Sequence, residues 1–150
     1  LQDRTIFENV LLPMQFYGLH KDDARNRAEE LLDQVGVLGH RDKFPIQLSG
    51  GELQRVAIAR ALTLSPEIIL ADEPTGNLDS KTALEILDIL SSINQRGTTV
   101  VMATHNHELI QKLPARVVSL EKGKIISDAK PAEHHKAHHK HSEHTKGEEQ

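Results

Sequence analysis

The chain contains no cysteine, which excludes a disulfide framework and any thiolate metal site. No apolar run approaches the ~20 residues needed to span a bilayer, and the first residues lack the basic, apolar, then small-residue order of a secretory signal. A formal net charge of −4 gives no general attraction to nucleic acid or anionic lipid, and no local basic patch supplies one. The pattern G-x-x-x-x-G-K-[ST], the loop that grips β- and γ-phosphates in P-loop proteins, does not occur, and the first residue is Leu1 rather than methionine. Within these limits, 150 residues at 37% hydrophobic content suffice for one domain with a real core.

The most informative stretch runs from Phe44 to Asp79. Ser49 followed by Glu52 has the spacing of a capping box, in which the serine oxygen takes an orphan amide and the glutamate reaches back to the cap's own N–H. A helix therefore starts here and runs from about Glu52 to Leu64, where Ser65-Pro66 stops it. Gly50 and Gly51 add no Cβ, so an anion could approach the first amides, where the macrodipole also favours it. Taken alone, the box is more often an ordinary surface helix start than a phosphate seat.

Ile68-Ile69-Leu70-Ala71 is too short for a helix and is flanked by breakers, as a buried parallel strand would be. It runs into Asp72-Glu73, at the carboxyl end of the strand, where open α/β sheets place ligands. Alternation along a strand would point the two carboxylates in different directions, so that one could hold a metal and the other face a water. Pro74 ends the strand, and Thr75 to Asp79 reads as a turn.

Before this stretch, Thr5 to Met14 reads as a helix that Pro13 kinks or shortens. Lys21 to Val35 is amphipathic, with Ala24, Ala28, Leu31, Leu32 and Val35 on one face and Gly36 as its stop. After it, Ser80 to Arg96 presents Ala83, Leu84, Ile86, Leu87, Leu90 and Ile93, and Gly97 closes it. Thr98 to Ala103 reads as a second buried strand, and Asn106 to Leu113 as a short helix. Arg116 to Leu120 and Lys124 to Ser127 form a hairpin through Glu121-Lys122-Gly123. The alternation of strands and helices predicts an α/β sheet with helices on its faces.

From Asp128 onward there is no large apolar residue, and histidines occur at 134, 135, 138, 139, 141 and 144. Such a segment cannot offset its chain entropy, so residues 129–150 are expected to be a disordered His-rich tail. The histidines suggest affinity for transition metals, although a merely solvated tail explains the composition better.

LSGGE, a helix, IILADEPTGNLDS and then Thr104-His105 after another strand resemble the ATP-binding cassette (ABC) ATPases, whose signature motif, Walker B, D-loop and switch histidine follow in this order. The resemblance covers about Asp3 to Asp128. It implies a P-loop NTPase-type α/β fold, a mostly parallel sheet flanked by helices with a helical subdomain. Residues 1–128 would then be the C-terminal part of a nucleotide-binding domain, its phosphate loop lying upstream. The helical part would span about 4–64, and Walker B to the terminal hairpin 65–127.

The resemblance also implies roles. Asp72 is the residue expected to hold Mg²⁺, through a coordinated water. Glu73 is expected to polarise the attacking water. His105 corresponds to the histidine that contacts the γ-phosphate, with His107 merely nearby, and Asp79 corresponds to the D-loop aspartate that links the two sites of a dimer. Ser49, Gly50, Gly51 and Glu52 would complete the ATP site of the opposite subunit in a head-to-tail homodimer, and the helical part would lean on an integral membrane partner.

Within the family, Phe44 to Glu52 and Asn94 to His105 look most like the branch that serves bacterial cell division. ENVLLP and LADEPTGNLDS are shared with the lipoprotein-release and macrolide-export branches. Asn106 stands where the cell-division branch often has aspartate, and the histidine-rich tail is not a family feature. A truncated, non-hydrolysing interaction module is the reading of another class. A soluble cassette acting on DNA or ribosomes would carry long coiled-coil or duplicated cassette regions, which this sequence does not show.

Overall fold

The computed structural model describes residues 1–130; the histidine-rich stretch lies outside the described residues. The chain divides into two compact units, Leu1 to Thr104 and a second beginning at His105.

The first unit is built on helices whose starts are written locally. Helix α1, Ile6–Phe16, is capped by Thr5, whose hydroxyl accepts from the Glu8 N–H while the Glu8 carboxylate accepts from the Thr5 N–H at 2.8 Å. It continues past Pro13, where a kink or an early end was expected. Residues on both sides of the proline explain this. Val10 and Met14 are fully buried and Leu11 nearly so, and burial at about 1.5–3 kcal/mol each exceeds the ~3 kcal/mol cost of an interior proline.

Helix α2, Lys21–Gln34, buries Ala24, Ala28, Leu31 and Leu32. It ends at Gly36 with φ +76°, where the Gly36 and Val37 N–H groups return to the carbonyls of Asp33 and Leu32. Helix α3, Gly50–Ala61, starts on Ser49 as the capping box requires and ends before Ser65-Pro66. Helix α4, Ser80–Gln95, buries Ala83, Ile86, Leu87, Leu90 and Ile93. Helices α1, α2 and α3 pack on one another, and α4 packs on α3. Arg55 ties three of them together: it donates to the Val35 carbonyl at the end of α2 (3.0 Å) and to Glu85 on α4 (2.7 Å).

Strands β1, Ile68–Asp72, and β2, Thr99–Ala103, pair in parallel, with Ile68 opposite Thr99 and Asp72 opposite Ala103. Parallel pairing was expected, but burial is one-sided. Ile69 joins the helical core, with Val100 and Met102 against it, whereas Leu70 is 80% exposed and Val101 53%. Only the face that meets the helices is covered, so the period of two appears inside an unbroken apolar run.

In the second unit, helix α5, His107–Lys112, is capped by Asn106, which accepts from the N–H groups of Glu108 and Leu109. Asparagine caps about as well as aspartate. Strands β3, Val117–Glu121, and β4, Lys124–Ala129, form an antiparallel hairpin. Lys122 and Gly123 both take left-handed φ, the two-residue turn that matches strand twist. A bulge follows Ser119, and Arg116 donates two hydrogen bonds to Asp128 at 2.7 and 2.6 Å.

Candidate functional site

Two groups of the expected site residues lie in the first unit. The first is the turn into α3. The Glu52 carboxylate accepts from both the N–H and the hydroxyl of Ser49, each at 2.7 Å. These two bonds, the hydroxyl first, hold its pKa below the ordinary glutamate value. Its other oxygen lies 2.9 Å from His40 Nδ1, close enough for an ion pair with a protonated imidazole but out of line for a hydrogen bond. Ser49 and Gly50 are exposed, and Gly51 is buried.

Gly51 is glycine for a reason that spacing alone could not show. A Cβ there would collide with Thr82 Cγ2, a methyl from the first turn of α4. At Gly50 a Cβ would meet only Leu78 Cδ2, at an ordinary 3.5 Å. The second glycine thus admits a neighbouring helix, and the first keeps the turn open to solvent.

Thr82 is itself fixed by Asp79. Asp79 caps α4, accepting from the N–H groups of Lys81 and Thr82 at 3.0 Å and from the Thr82 hydroxyl at 2.5 Å. The Thr82 hydroxyl, followed by its N–H, lowers the Asp79 pKa. Thr82 therefore links two separately recognised turns: its hydroxyl engages Asp79 and its methyl rests over Gly51. Sequence reasoning passed over it. The signal available was a threonine three residues after a capping aspartate.

The second group sits at the end of β1. Asp72 is the exposed last residue of the strand, opposite Ala103. Glu73 leaves the strand with φ +44°, a sharp backbone turn, so alternation along the strand does not set the direction of its side chain. A left-handed φ at a non-glycine residue costs of order 1–3 kcal/mol and persists where the surroundings impose it. The Glu73 N–H donates to the Ala103 carbonyl (2.9 Å), and the Gly76 N–H donates to the Glu73 carbonyl (3.0 Å). The Thr104 hydroxyl donates to Glu73 Oε2 at 3.1 Å. Asp72 and Glu73 thus place two adjacent carboxylates at the end of β1, a pair that could offer one divalent cation contact and one water contact. Among the described residues no group of three or more metal-ligating side chains occurs, so Asp72 would hold a cation together with water or a ligand's own oxygens.

His105 opens the second unit and is exposed, as is His107.

A model of the ABC transporter family matches residues 1–76. The chain belongs to this family. The cell division ATP-binding protein FtsE of Mycobacterium tuberculosis is 45% identical over 128 residues, covering 85% of this chain and 56% of that protein. FtsE of Escherichia coli K12 is 47% identical over 125 residues, covering 83% and 56%. A methionine import ATP-binding protein, MetN 2 of Lactiplantibacillus plantarum, is 47% identical over 127 residues, covering 84% of this chain but 37% of its own length. Among solved structures, the dimeric ATP-binding cassette MJ0796 in a post-hydrolysis state with ADP and Pi aligns with a TM-score of 0.75 and 39% identity, over 87% of this chain and 58% of that one. The chain thus spans just over half the length of the FtsE proteins and of the cassette it matches.

Proposed function

We propose that this chain is part of the ATP-binding and hydrolysing subunit of a bacterial ABC-type membrane complex of the FtsE kind, working with an FtsX-like integral membrane partner in cell division. The observation that carries the reading is the carboxylate pair Asp72 and Glu73 at the end of a parallel strand, in a chain whose relatives include several FtsE proteins at 42–47% identity. No helix among the described residues is long and apolar enough to cross a membrane. In this reading a partner subunit holds the protein at the cytoplasmic face of the plasma membrane.

Phosphoryl transfer to water requires positioning and charge neutralisation more than covalent chemistry. Asp72 would hold Mg²⁺, which neutralises charge on the transferring phosphoryl group when bound. Glu73 takes the proton of the attacking water. His105 contacts the γ-phosphate. Ser49 and Gly50 present the start of α3 to the ATP of a second copy, with Glu52 bracing the turn and Gly51 seating it on α4. Asp79 sits at the junction of the two sites of the homodimer. A LolD- or MacB-type role, in lipoprotein release or macrolide export, is the second reading, favoured by the shared ENVLLP and LADEPTGNLDS segments.

The test uses the complete protein. Glu73→Gln is expected to bind ATP and Mg²⁺ normally, to lose about 10²–10⁴ of turnover and to accumulate as an ATP-bound dimer. Asp72→Asn is expected to weaken Mg²⁺-dependent nucleotide binding as well. Wild-type turnover by Glu73→Gln would remove the catalytic assignment, and a complete protein that binds but never hydrolyses ATP would be an interaction module. Isolation from membranes with an FtsX-like protein, rather than an exporter permease, separates the first two readings.

A further inference from the structure

Glu73 has little freedom of its own. Its N–H is tied to the Ala103 carbonyl at the end of β2, and its carbonyl is tied to the Gly76 N–H. A Cβ at Gly76 would lie 3.3 Å from that carbonyl, so the turn is closed tightly. With φ at +44°, the side chain no longer follows the pleat of β1, and strand geometry cannot aim it. A glutamate with three side-chain torsions then needs another contact to hold one carboxylate orientation. The Thr104 hydroxyl supplies such a contact, donating to Oε2 at 3.1 Å.

We propose that Thr104 is a positioning residue for the Glu73 carboxylate, fixing its orientation toward the attacking water by donating to Oε2. This rests on the reading of Glu73 as general base. In the step it serves, the water oxygen bonds to the γ-phosphorus as the bond to the β,γ-bridging oxygen breaks. The water's proton passes to Glu73 and then to the released phosphate, so ATP and water yield ADP and phosphate. Thr104 neither gains nor loses a proton overall. Its neighbour Ala103 holds the Glu73 backbone, so the last two residues of the first unit anchor main chain and side chain together. An orienting contact of this kind acts on the chemical step, because a displaced catalytic group loses rate without losing ground-state binding.

The experiment compares Thr104→Val, Thr104→Ser, Glu73→Gln and the double variant Glu73→Gln/Thr104→Val in the complete protein, reading ATP affinity, kcat and unfolding midpoint. Thr104→Val is expected to lower kcat by about tenfold or more with ATP affinity within about twofold of wild type, and Thr104→Ser to restore most of the rate. In the double variant the valine is expected to cost nothing further, since there is no base left to aim. If the valine variant fails to fold, Thr104→Ala removes the same hydroxyl and is expected to show the same loss. Wild-type kcat in Thr104→Val or Thr104→Ala, beside a disabled Glu73→Gln, overturns the proposal and leaves the base reading standing. So does a serine variant no faster than the valine one, which would make the threonine methyl the relevant group. Wild-type turnover by Glu73→Gln removes the underlying reading, and this proposal with it.

Discussion

The methyl of Thr82 occupies the space that a side chain at Gly51 would need. Two turns identified separately in the sequence, one at the start of α3 and one at the start of α4, therefore meet at a contact between one methyl group and one missing Cβ.

Gly51→Ala is expected to destabilise the complete protein by about 1–3 kcal/mol, the usual cost of overpacking a close contact. Thr82→Ser removes the colliding methyl and keeps the hydroxyl that Asp79 accepts. The double variant should recover much of the loss, and urea unfolding of the four proteins in this cycle measures the coupling.

Arg55 predicts an asymmetry between partners. Arg55→Ala removes a donor from the Val35 carbonyl and from Glu85 together, and is expected to cost about 1–3 kcal/mol. Glu85→Gln leaves the carbonyl contact intact, and its carboxylate is partly solvated, so its cost should stay below about 1 kcal/mol. Unfolding free energies of the two variants check the order.

Ser49 separates a structural role from a ligand role. Ser49→Ala removes the cap at a cost of about 1 kcal/mol but leaves the turn open, so ATP-driven dimerisation should persist. Ser49→Arg places a bulky cation where a second copy's nucleotide would lie, and should abolish dimerisation while sparing ATP binding by the single subunit. Dimer mass with ATP, measured by light scattering, decides; a Ser49→Arg protein that dimerised normally would leave the turn as a helix cap only.

Acid should weaken the fold through the caps. Glu8 is lowered by the Thr5 N–H and hydroxyl, Glu52 by the Ser49 hydroxyl and N–H, Asp79 by the Thr82 hydroxyl and N–H, and Asp128 by Arg116. Because the folded pKa values lie below the unfolded ones of about 4, the linked stability is whole above that range and is lost as pH falls through the folded values. Asp79→Asn keeps a capping acceptor that does not titrate. Its urea midpoint should lie below wild type at pH 7, where the carboxylate's linked stability is whole, and fall less steeply between about pH 5 and 3, so that the two proteins converge in acid.

The legible features were the local ones. Thr5 with Glu8, Ser49 with Glu52 and Gly36 after α2 each act within a few residues, so their chemistry can be read from adjacent letters. What could not be read depended on distant partners. Pro13 stays within a helix because residues on α1 pack against α2 and α3. Leu70 is exposed although its run is wholly apolar, since coverage depends on which face meets the helices. Gly51 read as an open amide because Thr82 is 31 positions away, and the direction of Glu73 read as strand alternation because the turn that sets it leans on Ala103 and Thr104. The family motifs pointed to the candidate site residues; their mutual supports came from the fold.

Arg55 also has a bearing on the order in which the fold assembles. Its two contacts close loops of 20 and 30 residues, whereas the Ser49 and Glu52 contacts span three. A short loop closes at less entropic cost than a long one, so the start of α3 can form early, and the Arg55 clamp only once α2 and α4 have arrived. In kinetic terms, Arg55→Ala should chiefly accelerate unfolding, and Ser49→Ala should chiefly slow folding. Rates measured against denaturant would show the two variants moving opposite limbs of the same curve.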